Sequence, residues 1–401
     1  MNHRNVTKVF LLGLGLASFT PSTTGNPPDG YSYHQLDNGL EIILLENPSS
    51  PMVGINTLVK RGSIDEDLST NGVSHMLEHL LFNGTDTRTQ KQLYDDTDLI
   101  GGYNNANTAD TYTNFMFVTP SPNLERAIEI QADMLFNSTI PLDKFAKEKG
   151  IVLEEIGKAL ANPTETVTRN LKSILYTGTS LALPTLGTVA AIENLKPELV
   201  KRIYQQFYVP NNMLVSVVGN FRKSEVLRLL KKYYGQKAPK TIIKTTSKTE
   251  NTRHGVATAK YYHRYYSGTQ NIVHLAFQLP SFQTPVSVNL MESFLQKTVA
   301  QLRDKLATSG GELFHSLNLE ISKRSDQIFL LASLRAEQPI PKDSIDLLEK
   351  QILALQFHLS DSDLKIIFEH NKTAFFQNLE KPRSEEHTSE LQSPDHLVCR
   401  L

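Results

Sequence analysis

Two histidines four residues apart, His75 and His79, with Glu78 beside the second, form the segment of this 401-residue chain best equipped for chemistry. Residues four apart share one helical face, so the two imidazoles of His75-Met76-Leu77-Glu78-His79 can hold one divalent ion. Zinc held by three protein groups keeps a fourth position for water. The metal lowers that water's pKa toward ~7, and Glu78, on the same turn, is expected to act as general base while the water attacks a peptide carbonyl. The third ligand must be an acid from another element, and the strongest candidate segment is Glu148 to Glu155 (EKGIVLEE). Glu148 and Glu155 are seven positions apart and share a helical face, whereas Glu154 is turned away by about 100°. Glu155 is the expected ligand, with Glu148 orienting a histidine or tuning the metal. Taken without the histidine pair, these glutamates would read as a solvated helix face.

The elements that must position these groups follow from periodicity. Gly72 to Phe82 places Val73, Met76, Leu77, Leu80 and Leu81 at helical spacing, with Ser69, Thr70 and Asn71 available as caps and Asn83-Gly84 as terminator. Upstream, Tyr31 to Leu45 alternates around Asp37-Asn38-Gly39, two strands joined by a tight turn, and Met52 to Lys60 reads as another strand. Downstream come a short helix from Lys91 to Leu99, a strand from Asn107 to Val118, and helices over 124–136, 142–160 and 167–175. A helix over 197–207, a strand over 212–218 and a helix over 223–234 complete the first half. Gln236 to Asn251 is rich in Lys and Thr and reads as a linker. The plan then restarts, with strands over 271–277 and 328–334 and helices over 286–306, 344–356 and 361–379. The expected fold is α+β: two similar α/β-sandwich domains, each an antiparallel-rich sheet with helices on one face, the second incomplete. The expected boundaries are 31–235 for the catalytic domain, 236–256 for the linker and 257–382 for the second domain.

Composition narrows the partners. The 41 basic and 42 acidic residues nearly cancel to a net charge of -1, so no overall field favours nucleic acid or an anionic membrane. Arg4 and Lys8 ahead of the apolar Val9–Phe19 stretch read as an export leader within residues 1–30, too short to span a bilayer. A periplasmic or secreted location is expected, with no stable membrane span once the leader is removed. The single cysteine, Cys399, excludes an internal disulfide and a thiolate metal cluster. It lies in residues 383–401 (RSEEHTSELQSPDHLVCRL), whose first eleven residues resemble a translated sequencing-adapter oligonucleotide. That tail, with His387 and His396, is expected to be a non-native fusion to a shortened gene.

Seven segments, in order, resemble the pitrilysin or insulinase-like family of inverted-motif zinc peptidases, which includes the mitochondrial processing peptidase. They are LDNGLEIILLENP, RGSIDED, GVSHMLEHLLFNGT, GGYNNANTADTYTNF, EKGIVLEEI, LGT and YVPNNMLVSVVGNF. The resemblance implies an endopeptidase acting on short or unfolded polypeptides, with one Zn2+ per chain on His75, His79 and Glu155, Glu78 as base and Glu148 in support. The 76 positions between His79 and Glu155 are close to the family's spacing. Asn105, Ala106, Asn107 and Thr108 match the strand whose edge pairs with the substrate backbone, which binds many sequences through main-chain hydrogen bonds. Family members enclose the metal between two pairs of domains, so one pair implies a homodimer or a heterodimer with a related subunit. The family's substrate-holding Arg and Tyr pair is not matched in Arg303–Leu317, and a partner is expected to supply it. The competing expectation is a non-catalytic partner or scaffold subunit, against which the intact His75, Glu78, His79 and Glu155 argue.

Overall fold

A computed structural model describes residues 30–242, 261–266, 271–279, 316–324 and 327–353. The leader, most of the linker, the helices expected at 286–306 and 361–379, residues 303–315 and the tail lie outside the described residues. Those described fall into two compact units, one within Thr24–Ala257 and one within Thr258–Leu401.

The first unit holds six strands, β1 (Tyr31–Gln35), β2 (Glu41–Glu46), β3 (Met52–Val59), β4 (Tyr103–Thr108), β5 (Thr113–Pro120) and β6 (Met213–Gly219). They form one sheet in the order β1-β2-β6-β3-β5-β4, with β2 and β6 parallel and every other neighbour antiparallel. Alternation sorts the side chains: Val53, Ile55 and Val59 of β3 and Met213, Val215 and Val217 of β6 are fully buried, while their neighbours along each strand are more open. The buried residues join one core with those of the helices. The helices are α1 (Val73–Leu80), α2 (Gln90–Leu99), α3 (Leu124–Phe136), α4 (Leu142–Ala161), α5 (Pro163–Leu175), α6 (Val189–Asn194), α7 (Pro197–Phe207) and α8 (Lys223–Tyr233).

Two expectations are corrected here. The strand expected over Asn107–Val118 is the hairpin β4–β5, closed by a hydrogen bond from Ala109 N to Tyr112 O at 2.8 Å. Asp110 and Thr111 form its tip without Gly, Pro or Asn. That turn is held from outside: Ser63 N and Ile64 N donate to Ala109 O and Asp110 O at 3.2 and 2.8 Å, and Lys172 Nζ reaches Asp110 Oδ1 at 3.0 Å. The caps expected for α1 are also elsewhere. Asp67 Oδ1 accepts from Ser69 N and Thr70 N, engaging both in a local turn. The helix starts at Gly72 with φ 89° and no side-chain cap of its own.

The second unit contains an antiparallel sheet, β7 (Tyr261–Tyr266), β8 (Asn271–Leu279), β9 (Ser316–Arg324) and β10 (Gln327–Ala336), ordered β7-β8-β10-β9, and the helix α9 (Lys342–Leu353). Val273, Leu275, Leu319, Leu330 and Leu334 pack there with Leu348 and Ile352. The mixed α and β architecture agrees with the expected class. Two of its strands, β7 and β9, are not among the expected ones, although Leu317, Leu319 and Ile321 of β9 alternate with Ser316, Asn318 and Glu320 along the chain.

Candidate metal centre

Val73, Met76, Leu77 and Leu80 line one side of α1 and are fully buried, leaving His75, Glu78 and His79 on the other. Each of those four apolar side chains contributes roughly 1.5–3 kcal/mol, which holds the helix in the core despite its titratable face. On α4, Phe145, Glu148, Val152 and Ile156 form the buried stripe. Glu155 lies on the same side, half-buried, and Glu154 is exposed, as the helical-face argument requires.

The packing of α1 against α4 brings three ligand atoms together. His75 Nε2 and His79 Nε2 are 3.3 Å apart, and Glu155 Oε2 stands 3.6 Å from each. Tetrahedral zinc with bonds of about 2.0–2.1 Å separates its ligand atoms by ~3.3–3.4 Å, so this triangle fits the ion almost without movement. His75 also buries its Nδ1 without a hydrogen-bond partner. Chemistry agrees with geometry, since two imidazoles and a carboxylate are a zinc donor set. His75, His79 and Glu155 form the metal-competent group found among the described residues.

Electrostatics sharpen the picture. Burial pushes the His75 imidazole down to about 3, with His79 acting in the same direction and Glu155 opposing. Burial also disfavours charge on His79, but hydrogen bonds to Glu148 and Glu155 and the nearby Glu78 outweigh it and raise that ring to about 10. Without metal, one proton is therefore held at the pair, where a divalent ion would replace it.

Glu148 supports the group from beneath. Its Oε2 lies 3.2 Å from His79 Nδ1, and its Oε1 accepts from Asn83 Nδ2 at 3.1 Å. The same Asn83 amide donates to His79 O at 2.9 Å, tying the end of α1 to the carboxylate. Asn83 enters the sequence reading only as a helix terminator, because its second role depends on α4.

Glu78 is half-buried and accepts a hydrogen bond from Thr108 Oγ1. Thr108 thus bonds to Glu78 as well as belonging to the strand expected to hold substrate. The other three residues of that segment direct their side chains elsewhere: Asn105 Nδ2 donates to Tyr103 OH at 2.8 Å, Ala106 packs on the core, and Asn107 Oδ1 accepts from Asn114 Nδ2 at 3.5 Å. What β4 leaves available is its outer main chain, since it is the last strand of the sheet.

Two histidines and one glutamate able to hold a metal ion thus stand on an α/β sandwich, with the Glu78 carboxylate beside them and the edge strand β4 reaching it through Thr108. Residues 41–189 match the family described as insulinase (peptidase family M16), and residues 194–368 match that described as the peptidase M16 inactive domain. The chain belongs to the M16, or insulinase-like, family. Among its relatives is YmxG of Bacillus subtilis, described as an uncharacterized zinc protease, 32% identical over 198 residues covering 49% of this chain and 48% of the relative. Zinc protease PqqE of Helicobacter pylori is 25% identical over 410 residues, 95% of this chain and 87% of that protein. A probable mitochondrial-processing peptidase subunit beta of Arabidopsis thaliana is 28% identical over 50% of this chain and 38% of its own. The chain thus spans about half the length of the Bacillus relative, and less of the plant one.

Solved structures share the fold. A protease from Helicobacter pylori aligns with TM-score 0.74 and 24% identity over 88% of this chain and 86% of that one. The periplasmic protease PqqL from Escherichia coli aligns with TM-score 0.70 and 20% identity over 92% of this chain and 43% of its own.

Proposed function

We propose that the protein is a zinc-dependent endopeptidase cleaving short or unfolded polypeptides, with one zinc held by His75, His79 and Glu155. The observation that carries this reading is the convergence of two Nε2 atoms and one carboxylate oxygen at zinc-like spacing, with Glu78 on the adjoining turn. Zinc bound there would act as a Lewis acid that acidifies water and polarises a peptide carbonyl. Glu78 accepts the proton of the attacking water and returns it to the leaving amine, the ordinary work of a general base that turns acid. Thr108 fixes one oxygen of Glu78 by donating a hydrogen bond to it from its hydroxyl. Glu148 keeps His79 in the tautomer that presents Nε2 to the metal. The outer edge of β4, through Asn105, Ala106, Asn107 and Thr108, pairs with the extended peptide backbone and brings its carbonyl over Glu78.

The leader motif, together with a periplasmic structural neighbour, supports export to the periplasm or outside the cell. Among the described residues no helix is long and apolar enough to cross a membrane. Residues 31–235 form the catalytic domain in this reading, 236–256 the linker and 257–382 a second domain. The relation to a processing-peptidase beta subunit supports assembly as a homodimer or with a related subunit. Metal analysis of purified protein is expected to find one zinc per chain. Glu78→Gln is expected to keep that zinc while peptide hydrolysis falls by about 10²–10⁴-fold; hydrolysis at the wild-type rate would remove Glu78 from its role.

A further inference from the structure

The N-terminus of α1 poses a problem its own sequence does not solve. Its N-cap is Gly72, which cannot cap with a side chain. Gly72 is required there: its φ is +89°, and a Cβ would meet Gly187 Cα at 2.7 Å and Leu186 O at 2.9 Å. Val73 N donates to Thr70 O, and the donors on either side of it are satisfied by a residue further upstream. Glu66, only 2% exposed, accepts from Gly72 N through Oε2 at 2.7 Å and from Ser74 N through Oε1 at 2.8 Å. Asn71 Nδ2 adds a third donor to Oε2 at 3.3 Å. Ser74 immediately precedes His75.

The loop that delivers Glu66 grips the other half of the site as well. Ser63 N and Ile64 N donate to the tip of the β4–β5 hairpin, Ser63 Oγ donates to Asp110 Oδ1 at 3.3 Å, and Thr113 Oγ1 donates to Arg61 O at 3.1 Å. Gly62 allows the approach, since a Cβ there would lie 2.3 Å from Ala109 O. Residues 61–66 therefore bond to the hairpin at one end and to the first turn of the metal helix at the other.

We infer that Glu66 is a positioning residue: its buried carboxylate fixes the first turn of α1 before metal arrives, and the Arg61–Glu66 loop sets the register between His75 and Glu78 on that helix and the peptide-pairing edge of β4. The inference rests on the zinc-site reading above, but it concerns hydrogen bonds within the chain rather than bonds to the ion. Glu66→Gln retains shape and replaces one acceptor oxygen by a donor, so either Gly72 N or Ser74 N loses its partner. Asp67→Asn perturbs the same loop through its exposed turn and touches neither α1 nor the hairpin.

The test measures zinc affinity by competition with a chromophoric chelator, melting temperature, and amide exchange of the zinc-free wild type. Glu66→Gln is expected to weaken zinc binding about tenfold or more, and Asp67→Asn to leave it within about twofold. In the zinc-free wild type, the Gly72 and Ser74 amides are expected to exchange at least ~100-fold more slowly than an unstructured chain. Equal zinc affinity in Glu66→Gln and wild type, with only a lowered melting temperature, would reduce Glu66 to ordinary structural support and overturn the inference. Unprotected Gly72 and Ser74 amides would overturn it too, and that measurement needs no variant to fold. A wild type that binds no zinc would refute the zinc reading, while the exchange rates would still decide the clasp.

Discussion

Replacing Glu148 by Gln isolates what a single buried oxygen contributes to the metal centre. In the wild type, Oε2 faces His79 Nδ1 at 3.2 Å and Oε1 faces Asn83 Nδ2 at 3.1 Å, in a residue only 6% exposed. Glutamine keeps the volume but has one acceptor for these two groups. Whichever way its amide turns, a buried N–H of His79 or Asn83 then faces another donor. An unsatisfied buried donor costs about 1–3 kcal/mol, and 1.4 kcal/mol is a factor of ten in an equilibrium constant. Zinc affinity should therefore fall by about 10- to 100-fold, which is also the range for losing a carboxylate behind a metal-bound histidine. Chelator competition at fixed pH reads this directly, and circular dichroism shows whether the fold survives. An affinity within about twofold of wild type, in a folded protein, would refute the claim that Glu148 orients His79.

The remaining predictions concern Thr108 and pH. Thr108→Val removes the donor to Glu78 and should lower kcat about tenfold with little change in KM, whereas Thr108→Ser should stay close to wild type; steady-state kinetics on a fluorogenic peptide distinguish them. In the metal-free protein, His79 is raised to about 10, well above the ordinary histidine value of about 6.5, and so stabilises the fold fully below about pH 6.5, an effect lost as pH rises through 10. Metal-free melting temperature should accordingly decline from pH 7 to 10, and His79→Gln should flatten that decline. His75, lowered to about 3, acts in the opposite window: its neutral burial favours folding above about pH 6.5, and the benefit disappears as pH falls toward 3.

Much of the site is legible in the chain because it is built from helices, whose periodicity is local. The spacing of His75, Glu78 and His79 places them opposite Val73, Met76, Leu77 and Leu80. Counting seven from Glu148 to Glu155 finds the second, half-buried acid and discards Glu154, which is exposed. The parts that sequence reasoning misses depend on contacts between distant segments. The Asp110-Thr111 turn offers Asp but no Gly, Pro or Asn as a local signal, and the hydrogen bonds it receives from Ser63 N and Ile64 N come from a distant loop. Glu66 sits too far upstream for any capping rule, and only the fold brings it to Gly72 and Ser74. Thr108 likewise reads as one residue of an edge strand until packing sets it against Glu78.

The central claim is that two imidazoles on α1 and one carboxylate on α4 bind a single ion. Anomalous diffraction at the zinc edge from crystals of the zinc-loaded protein tests it most directly. The expected result is one strong peak within about 2.0–2.2 Å of His75 Nε2, His79 Nε2 and a Glu155 oxygen. A peak lying elsewhere, or one bonded to the histidines while the Glu155 side chain points away, would contradict the account.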